Sequence, residues 1–156
     1  MPERLFRRIL IPTDGSDASV AAARLAFRMA RTFDAKLFLL YVIDLLLCEE
    51  LRRFEQRELE EVRRELQQQG ERYVRVLSGE AERMELSVAS EVRRGDPFEE
   101  IVGRARHHDV ELIVMGHVGR RPRTRVLLGS VAERVLEFAP CPVLIVKHDP
   151  EADRTA

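Results

Sequence analysis

The segment Leu112-Ile113-Val114-Met115-Gly116-His117-Val118-Gly119 joins an apolar run to a glycine-bracketed loop. After nine more residues, Gly129-Ser130 open a helical pattern that continues to Phe138. Glycine allows backbone N–H groups to approach an anion closely, and a helix N-terminus adds partial positive charge. A buried strand, a glycine loop and a helix in this order predict a phosphate-binding site, and nucleotides are the first ligand class to consider.

Similar patterns along the chain extend this unit to the order β-α-β-α-β-α-β-α-β. Strands are predicted at 9–12, 37–42, 85–92, 112–115 and 143–146. Helices are predicted at 16–33, 48–82 (with a break or bend at Gly70), 97–107 and 130–138. Near-continuous apolar strands are typical of a parallel sheet that is covered on both faces. The sequence therefore predicts a doubly wound parallel α/β sheet, with strand order 2-1-3-4-5 or 3-2-1-4-5.

The composition excludes several classes of protein. The chain has 156 residues, 45% hydrophobic and 34% charged, which predicts one globular domain over residues 1–148 and a polar tail over 149–156. A net charge of −1 argues against a general nucleic-acid binder. Cys48 and Cys141 match no metal or redox spacing and indicate reduced thiols. Without a signal peptide or an apolar run of ~20 residues, a cytoplasmic protein with no membrane partner is expected.

Two loops are expected to face each other across the sheet. Ligands of such folds bind beyond the carboxyl ends of the strands, where the strand order reverses. Asp14 follows the first strand and Gly116 ends the fourth, so they are predicted on opposite sides of one crevice. Of the four arginines between Gly119 and Gly129, Arg120 and Arg125 lie nearest the glycines and are the candidate phosphate partners. A solvated loop is the alternative interpretation of these cations.

Taken together, these motifs resemble the universal stress protein family, over residues 7–147. The likeness is carried by Ile9-Leu10-Ile11-Pro12-Thr13-Asp14-Gly15-Ser16, by residues 109–116 and the Gly-x-x-Gly-x9-Gly-Ser loop, by Leu128-Gly129-Ser130-Val131-Ala132-Glu133-Arg134-Val135, and by Ala139-Pro140-Cys141-Pro142-Val143-Leu144-Ile145-Val146. The resemblance implies a Rossmann-like adenine-nucleotide-binding fold of five parallel strands with helices on both faces and strand order 3-2-1-4-5. It also implies a homodimer, and the intact glycine loop indicates the ATP-binding branch.

The resemblance implies a set of nucleotide contacts. Asp14 and the backbone of Pro12 and Thr13 would meet the adenosine, and Val42 would line the adenine pocket. The residues expected at ribose and phosphates, or beside them, are Gly116, Gly119, Gly129, Ser130, Met115 and Val131. His117 is also a candidate, although this position more often holds a small hydroxyl residue. Pro122 stands where glycine is common and offers no N–H.

Several candidates also have a purely structural interpretation. Asp14 is equally suited to cap the first helix or to close an Asx turn. Ser130 and Glu133 match a capping box, in which the Ser130 side chain accepts a hydrogen bond from the Glu133 N–H. The His107-His108-Asp109 cluster suggests metal ligands, but histidine at a helix C-terminus is favourable without a metal.

Three functions from different classes follow. The first is an ATP-binding stress-response or regulatory homodimer, holding ATP (or ADP or AMP) with Mg or Mn through the phosphates. Its dimer contact would be the last strand, Val143, Leu144, Ile145 and Val146, whose exposed edge needs a cover. The second is an enzyme that slowly hydrolyses ATP or phosphorylates its own Thr124 or Ser130. The third is a nucleotide-free dimeric interaction module whose charged helix recruits an unknown protein partner.

Overall fold

The computed structural model describes residues 5–119 and 128–148. Along these residues the elements are β1 Arg8–Thr13, α1 Asp17–Phe33, β2 Lys36–Asp44, α2 Leu45–Glu55, α3 Leu59–Arg83, β3 Val88–Gly95, α4 Pro97–His107, β4 Leu112–Gly116, α5 Ser130–Phe138 and β5 Val143–Val146. The five strands form one parallel sheet in the order β3-β2-β1-β4-β5. The predicted fold class and the strand order 3-2-1-4-5 are confirmed.

Alternate side chains of the central strands enter two apolar layers, one on each face of the sheet. Ile9 and Ile11 of β1 pack in a layer with the buried alanines of α1, whereas Leu10 points into the other layer, with α4 and α5. Burial on both faces explains why the central strands read as continuous apolar runs. The small side chains of α1, among them Ala22, Ala23 and Ala26, let this helix lie close to the sheet.

The predicted helix at 48–82 is wrong in its continuity. The segment forms two helices, α2 and α3, and the chain turns at Gln56, which takes a left-handed conformation with φ 52°. Gly70, the predicted break, lies buried inside α3 against the ring of Tyr41. Phe54 is 90% exposed on α2. The turn at Gln56 contains no glycine or proline, so the sequence did not indicate it. Gly70, which is needed for close packing on Tyr41, was mistaken for a helix break.

The segment from α3 to α4 departs from prediction only at the strand. β3 begins at Val88 rather than at residue 85, because Glu85 takes a positive φ of 61° in the turn after α3. Asp96 caps α4, accepting a hydrogen bond from the Glu99 N–H at 3.1 Å. Pro97 occupies the first turn, where a missing N–H costs nothing.

Both cysteines are free thiols within this fold. Cys48 is fully buried and Cys141 is half-buried. Burial raises the pKa of each thiol above its ordinary value, which favours the protonated form at neutral pH. Within the described residues, no helix is both long and apolar enough to cross a bilayer.

Candidate functional site

The Asp14 turn and the glycine loop, predicted to lie on opposite sides of one crevice, meet at the same edge of the sheet. β1 and β4 are neighbours in the sheet, and the strand order reverses between them, so the segments that follow them leave the same edge on either side of the reversal. Asp14 follows β1, and a Cβ atom built on Gly119 would lie 2.9 Å from Asp14 Oδ2. The two loops therefore meet, and the glycine at position 119 makes room for the carboxylate.

Asp14 closes the turn that leads from β1 into α1. Its Oδ1 accepts a hydrogen bond from the Ser16 N–H at 2.9 Å, which is the Asx turn considered from the sequence. Ser16, not Asp14, caps α1, since its side chain accepts from the Ser19 N–H at 3.2 Å. The turn fixes the half-buried carboxylate at the mouth of the crevice, with Oδ2 on the side of Gly119.

Apolar side chains lie near the carboxyl ends of the two strands that flank β1. Val42 at the end of β2 is half-buried and Met115 on β4 is 6% exposed, and both belong to the layer shared with α4 and α5. Pro12 and Thr13 are buried at the end of β1, where the Thr13 hydroxyl lies 3.1 Å from the Ser19 hydroxyl. The Thr13 side chain is thus engaged inside the fold, which leaves its backbone as the group that could meet a ligand.

Gly116 has a packing role that the sequence did not reveal. A Cβ atom at this position would lie 2.8 Å from the backbone carbon of Ala18 and 3.0 Å from its oxygen. The first turn of α1 therefore crosses directly over the end of β4. Glycine at 116 is required by this contact, independently of any ligand.

Hydrogen bonds tie together the two ends of the glycine loop. The His117 N–H donates to the Val146 carbonyl at 3.0 Å, and the Gly129 N–H donates to the His117 carbonyl at 2.7 Å. His117 Nδ1 accepts from the His148 N–H at 3.4 Å. The Gly129 N–H is thereby committed within the protein. Arg120 and Arg125, the predicted phosphate partners, lie outside the described residues.

The predicted capping box at α5 is wrong. Gly129 is the N-cap, in extended conformation with φ −71° and ψ 158°, so Ser130 becomes the first helical residue. The Glu133 N–H then bonds the Gly129 carbonyl at 2.9 Å, and no side chain of the described residues caps the helix. The N–H groups of Ser130, Val131 and Ala132 consequently have no partner in the described part of the chain. An anion would satisfy them and gain from the helix dipole.

The two helix N-termini beside the crevice therefore differ. α1 is closed by Ser16, whereas α5 is open at Gly129. Of the two, α5 is the end that can accept a phosphate without breaking an existing cap.

The histidine cluster after α4 is engaged in structure. His108 stacks on Phe38, with ring centroids 4.3 Å apart, and its Nε2 lies 3.2 Å from Glu91 Oε1. Arg104 donates two hydrogen bonds to the same carboxylate. Burial alone would raise the pKa of Glu91, but the hydrogen bonds and charges of Arg104 and His108 outweigh it and lower the pKa. Over the described residues, no group of three side chains is arranged to hold a metal ion.

Comparison with known proteins decides the family. The model of the universal stress protein family matches residues 5–147. The chain belongs to the universal stress protein family. Among its relatives in this family, universal stress protein MJ0531 of Methanocaldococcus jannaschii is 40% identical, over 93% of this chain and 84% of the relative.

Solved structures of universal stress proteins share the fold. The structure of protein MJ0577 superposes with a TM-score of 0.83 at 29% identity, over 94% of this chain and 99% of that one. A universal stress protein solved in complex with cAMP gives a TM-score of 0.64 at 23% identity, over 92% of this chain and 98% of that one. At that identity the second comparison shows the fold alone.

Sequence reasoning missed one residue at the crevice. Tyr73 of α3 lies directly over Gly15, the residue after Asp14. Tyr73 is distant in sequence and sits on a highly charged helix, so no local signal connects it with the loop.

Proposed function

We propose that this universal stress protein binds ATP in the crevice between the Asp14 turn and the Gly116–Ser130 loop, and that it acts as a regulatory stress-response protein. One observation carries the proposal: the Asp14 carboxylate stands on one side of the crevice, and the open N-terminus of α5 follows the loop that forms the other side. A carboxylate suits ribose hydroxyls or an adenine amine, and uncapped N–H groups suit phosphate. A nucleoside phosphate carries both kinds of group.

The remaining predicted residues would contact different parts of the nucleotide. The half-buried Val42 supplies apolar surface for adenine, with the buried Met115 in the same apolar layer, while the Pro12–Thr13 backbone and Asp14 meet the adenosine. Gly116 lets α1 pack over the end of β4, Gly119 makes room for the Asp14 carboxylate, and the N–H groups of Ser130 and Val131, with the Ser130 hydroxyl, take the phosphates. Arg120, Arg125 and His117 would add positive charge or hydrogen bonds. Mg²⁺ or Mn²⁺ would be held mainly by phosphate oxygens and water.

The fold and the crevice support a binding protein over an enzyme. ADP and AMP fit the same adenosine contacts but offer fewer phosphate oxygens to α5. Glu133, the candidate general base nearest the loop in sequence, is exposed on α5. Nucleotide occupancy, rather than turnover, is therefore proposed as the signal, in a cytoplasmic setting.

The test is a thermal melt of nucleotide-stripped protein with ATP and Mg²⁺, with AMP, and without ligand. ATP at a hundredfold over its Kd should add about 2.7 kcal/mol, which is several degrees for a domain of this size. Gly119→Ala should reduce the shift, because its Cβ would lie 2.9 Å from Asp14 Oδ2 and would displace this carboxylate oxygen. Gly103→Ala is the matched control, since nothing lies within 4 Å of its Cβ position. A shift in Gly119→Ala as large as that of the wild type would contradict this site.

The proposal includes a homodimer formed through β5. In the described residues β5 pairs only with β4, and its four side chains are half-buried. The Pro142 and Val146 carbonyls accept bonds from the β4 side, so the peptide groups of Val143 and Ile145 face away from β4. Pairing with a second β5 across a two-fold axis would satisfy these groups.

Sedimentation equilibrium tests the dimer. The wild-type protein should show twice the chain mass of 18.0 kDa. Ile145→Pro should yield a folded monomer, because proline removes an outward N–H without breaking a bond to β4. A wild-type monomer, or an Ile145→Pro variant that remains dimeric, would contradict pairing through β5.

A second candidate function rests on α2. Phe54 is 90% exposed and Leu46 is 67% exposed on this helix, an unusual position for large apolar side chains. Such a surface favours an interaction module that recruits a protein partner. If no nucleotide shifts the melting temperature, this surface becomes the leading functional site.

A further inference from the structure

The turn that carries Asp14 is covered by an aromatic ring from a distant helix. A Cβ atom at Gly15 would lie 2.5 Å from Tyr73 Cζ and 2.6 Å from Tyr73 Cε2. Gly15 also has φ +81°, in the left-handed region that favours glycine. The ring of Tyr73 thus rests directly on the backbone of the turn, where no other residue type fits both the conformation and the space.

The position of Tyr73 is itself fixed by close packing of α3 on β2. Its ring stacks with that of Tyr41, with centroids 6.1 Å apart and an interplanar angle of 19°. One turn earlier in α3, a Cβ atom at Gly70 would clash with the Tyr41 ring. Gly70 therefore lets α3 descend onto Tyr41, and this close approach sets the height of Tyr73 above Gly15.

The contact chain continues across the crevice. Gly15 adjoins Asp14, whose Oδ1 holds the Ser16 N–H and whose Oδ2 lies beside Gly119. The space between Oδ2 and Gly119 leaves no room even for a methyl group. A small movement of the turn would therefore change the distance between the two sides of the proposed nucleotide site.

We propose that Tyr73 is a positioning residue that holds the Asp14 turn against Gly119 and thereby couples α3 to nucleotide occupancy. The coupling half of this inference rests on the proposed nucleotide site, whereas the positioning half does not. Coupling of this kind is reciprocal: if α3 stabilises the binding geometry, bound nucleotide stabilises the docking of α3 to the same extent. The docking of the α2–α3 hairpin then depends on whether the proposed nucleotide site is occupied.

The experiment compares Tyr73→Leu, Tyr73→Phe and Val76→Ala, a control on the next turn of α3 whose side chain is 65% exposed. Amide hydrogen exchange in the nucleotide-free proteins measures directly how well the Asp14 turn is held in place. Tyr73→Leu should accelerate exchange of the Ser16 amide by at least about fivefold relative to the amides of β1 and β4, as a lost coupling contact would. Val76→Ala should exchange like the wild type, and Tyr73→Phe should exchange more slowly than Tyr73→Leu, because its aromatic ring remains over Gly15.

Calorimetric titration reads the coupling. Tyr73→Leu should weaken ATP binding at least about fivefold, with Tyr73→Phe close to the wild type. ATP should in turn slow exchange along α3 in the wild-type protein. A Tyr73→Leu variant with a lower melting temperature but wild-type Ser16 exchange would overturn positioning, and unchanged ATP affinity would overturn coupling. If the wild type binds no ATP, the proposed function and its coupling fail together, while exchange at Ser16 still decides the positioning role.

Discussion

Gly116→Ala is expected to destabilise the protein by about 1–3 kcal/mol, as overpacking of a close contact does. The added methyl group would meet backbone atoms of Ala18, at 2.8 and 3.0 Å, rather than a side chain that can rotate away. Relief therefore requires α1 to move from the end of β4. Urea unfolding monitored by circular dichroism measures the change in the free energy of unfolding. An unchanged dependence of this free energy on urea concentration (the m-value) would show that the substitution alters stability and not the unfolded state.

Gly103→Ala is the matched control for this substitution. Gly103 lies inside α4, and a Cβ atom there meets nothing within 4 Å. Alanine should stabilise the helix by about 0.5–1 kcal/mol, because it restricts the unfolded chain. A Gly116→Ala protein as stable as the wild type would show that α1 does not cross β4 as closely as described.

Asp14→Ala is expected to weaken ATP binding by about 1.5–3 kcal/mol, the loss of a hydrogen bond to a charged group. This corresponds to a rise in Kd of about 10- to 150-fold. Asp14→Asn separates charge from structure, since its side-chain carbonyl can still accept the Ser16 N–H and keep the Asx turn. It should keep the turn and bind ATP with intermediate affinity.

Isothermal titration calorimetry of these variants checks the prediction, with Asp17→Asn as the control. Asp17 is an exposed carboxylate in the first turn of α1, three residues from Asp14. Removing its charge tests whether any nearby negative charge matters. If Asp14→Ala binds ATP as tightly as the wild type, the adenosine does not lie against this turn.

The sheet could be predicted because the central strands are buried on both faces, so their sequences are apolar at nearly every position. Ile9 and Ile11 face one layer and Leu10 the other, so both faces of β1 had to be apolar. Asp96 with Pro97 likewise marked the start of α4 by local chemistry alone. Strand order followed from the family resemblance and the α/β alternation together.

The errors have a different cause. At each of these positions the local sequence allows two conformations, and tertiary packing selects one of them. Ser130 can serve as an N-cap, but the Gly129 N–H is held by the His117 carbonyl and the cap falls one residue earlier. Gly70 can end a helix, but here it lies within α3, because only a residue without a side chain leaves room for the Tyr41 ring. The contact between Tyr73 and Gly15 joins distant parts of the chain, and no periodicity encodes it.

The central claim is that the crevice binds a nucleoside triphosphate, with adenosine at Asp14 and phosphates at the open end of α5. Calorimetric titration of nucleotide-stripped wild-type protein with ATP and Mg²⁺, repeated with AMP, tests it most directly. One site per chain is predicted, with a Kd of about 1 μM, near 8 kcal/mol of binding free energy. AMP should bind more weakly, because a single phosphate leaves most of the charge-assisted bonds unmade. The absence of binding at millimolar ATP, or equal affinity for AMP and ATP, would contradict the claim.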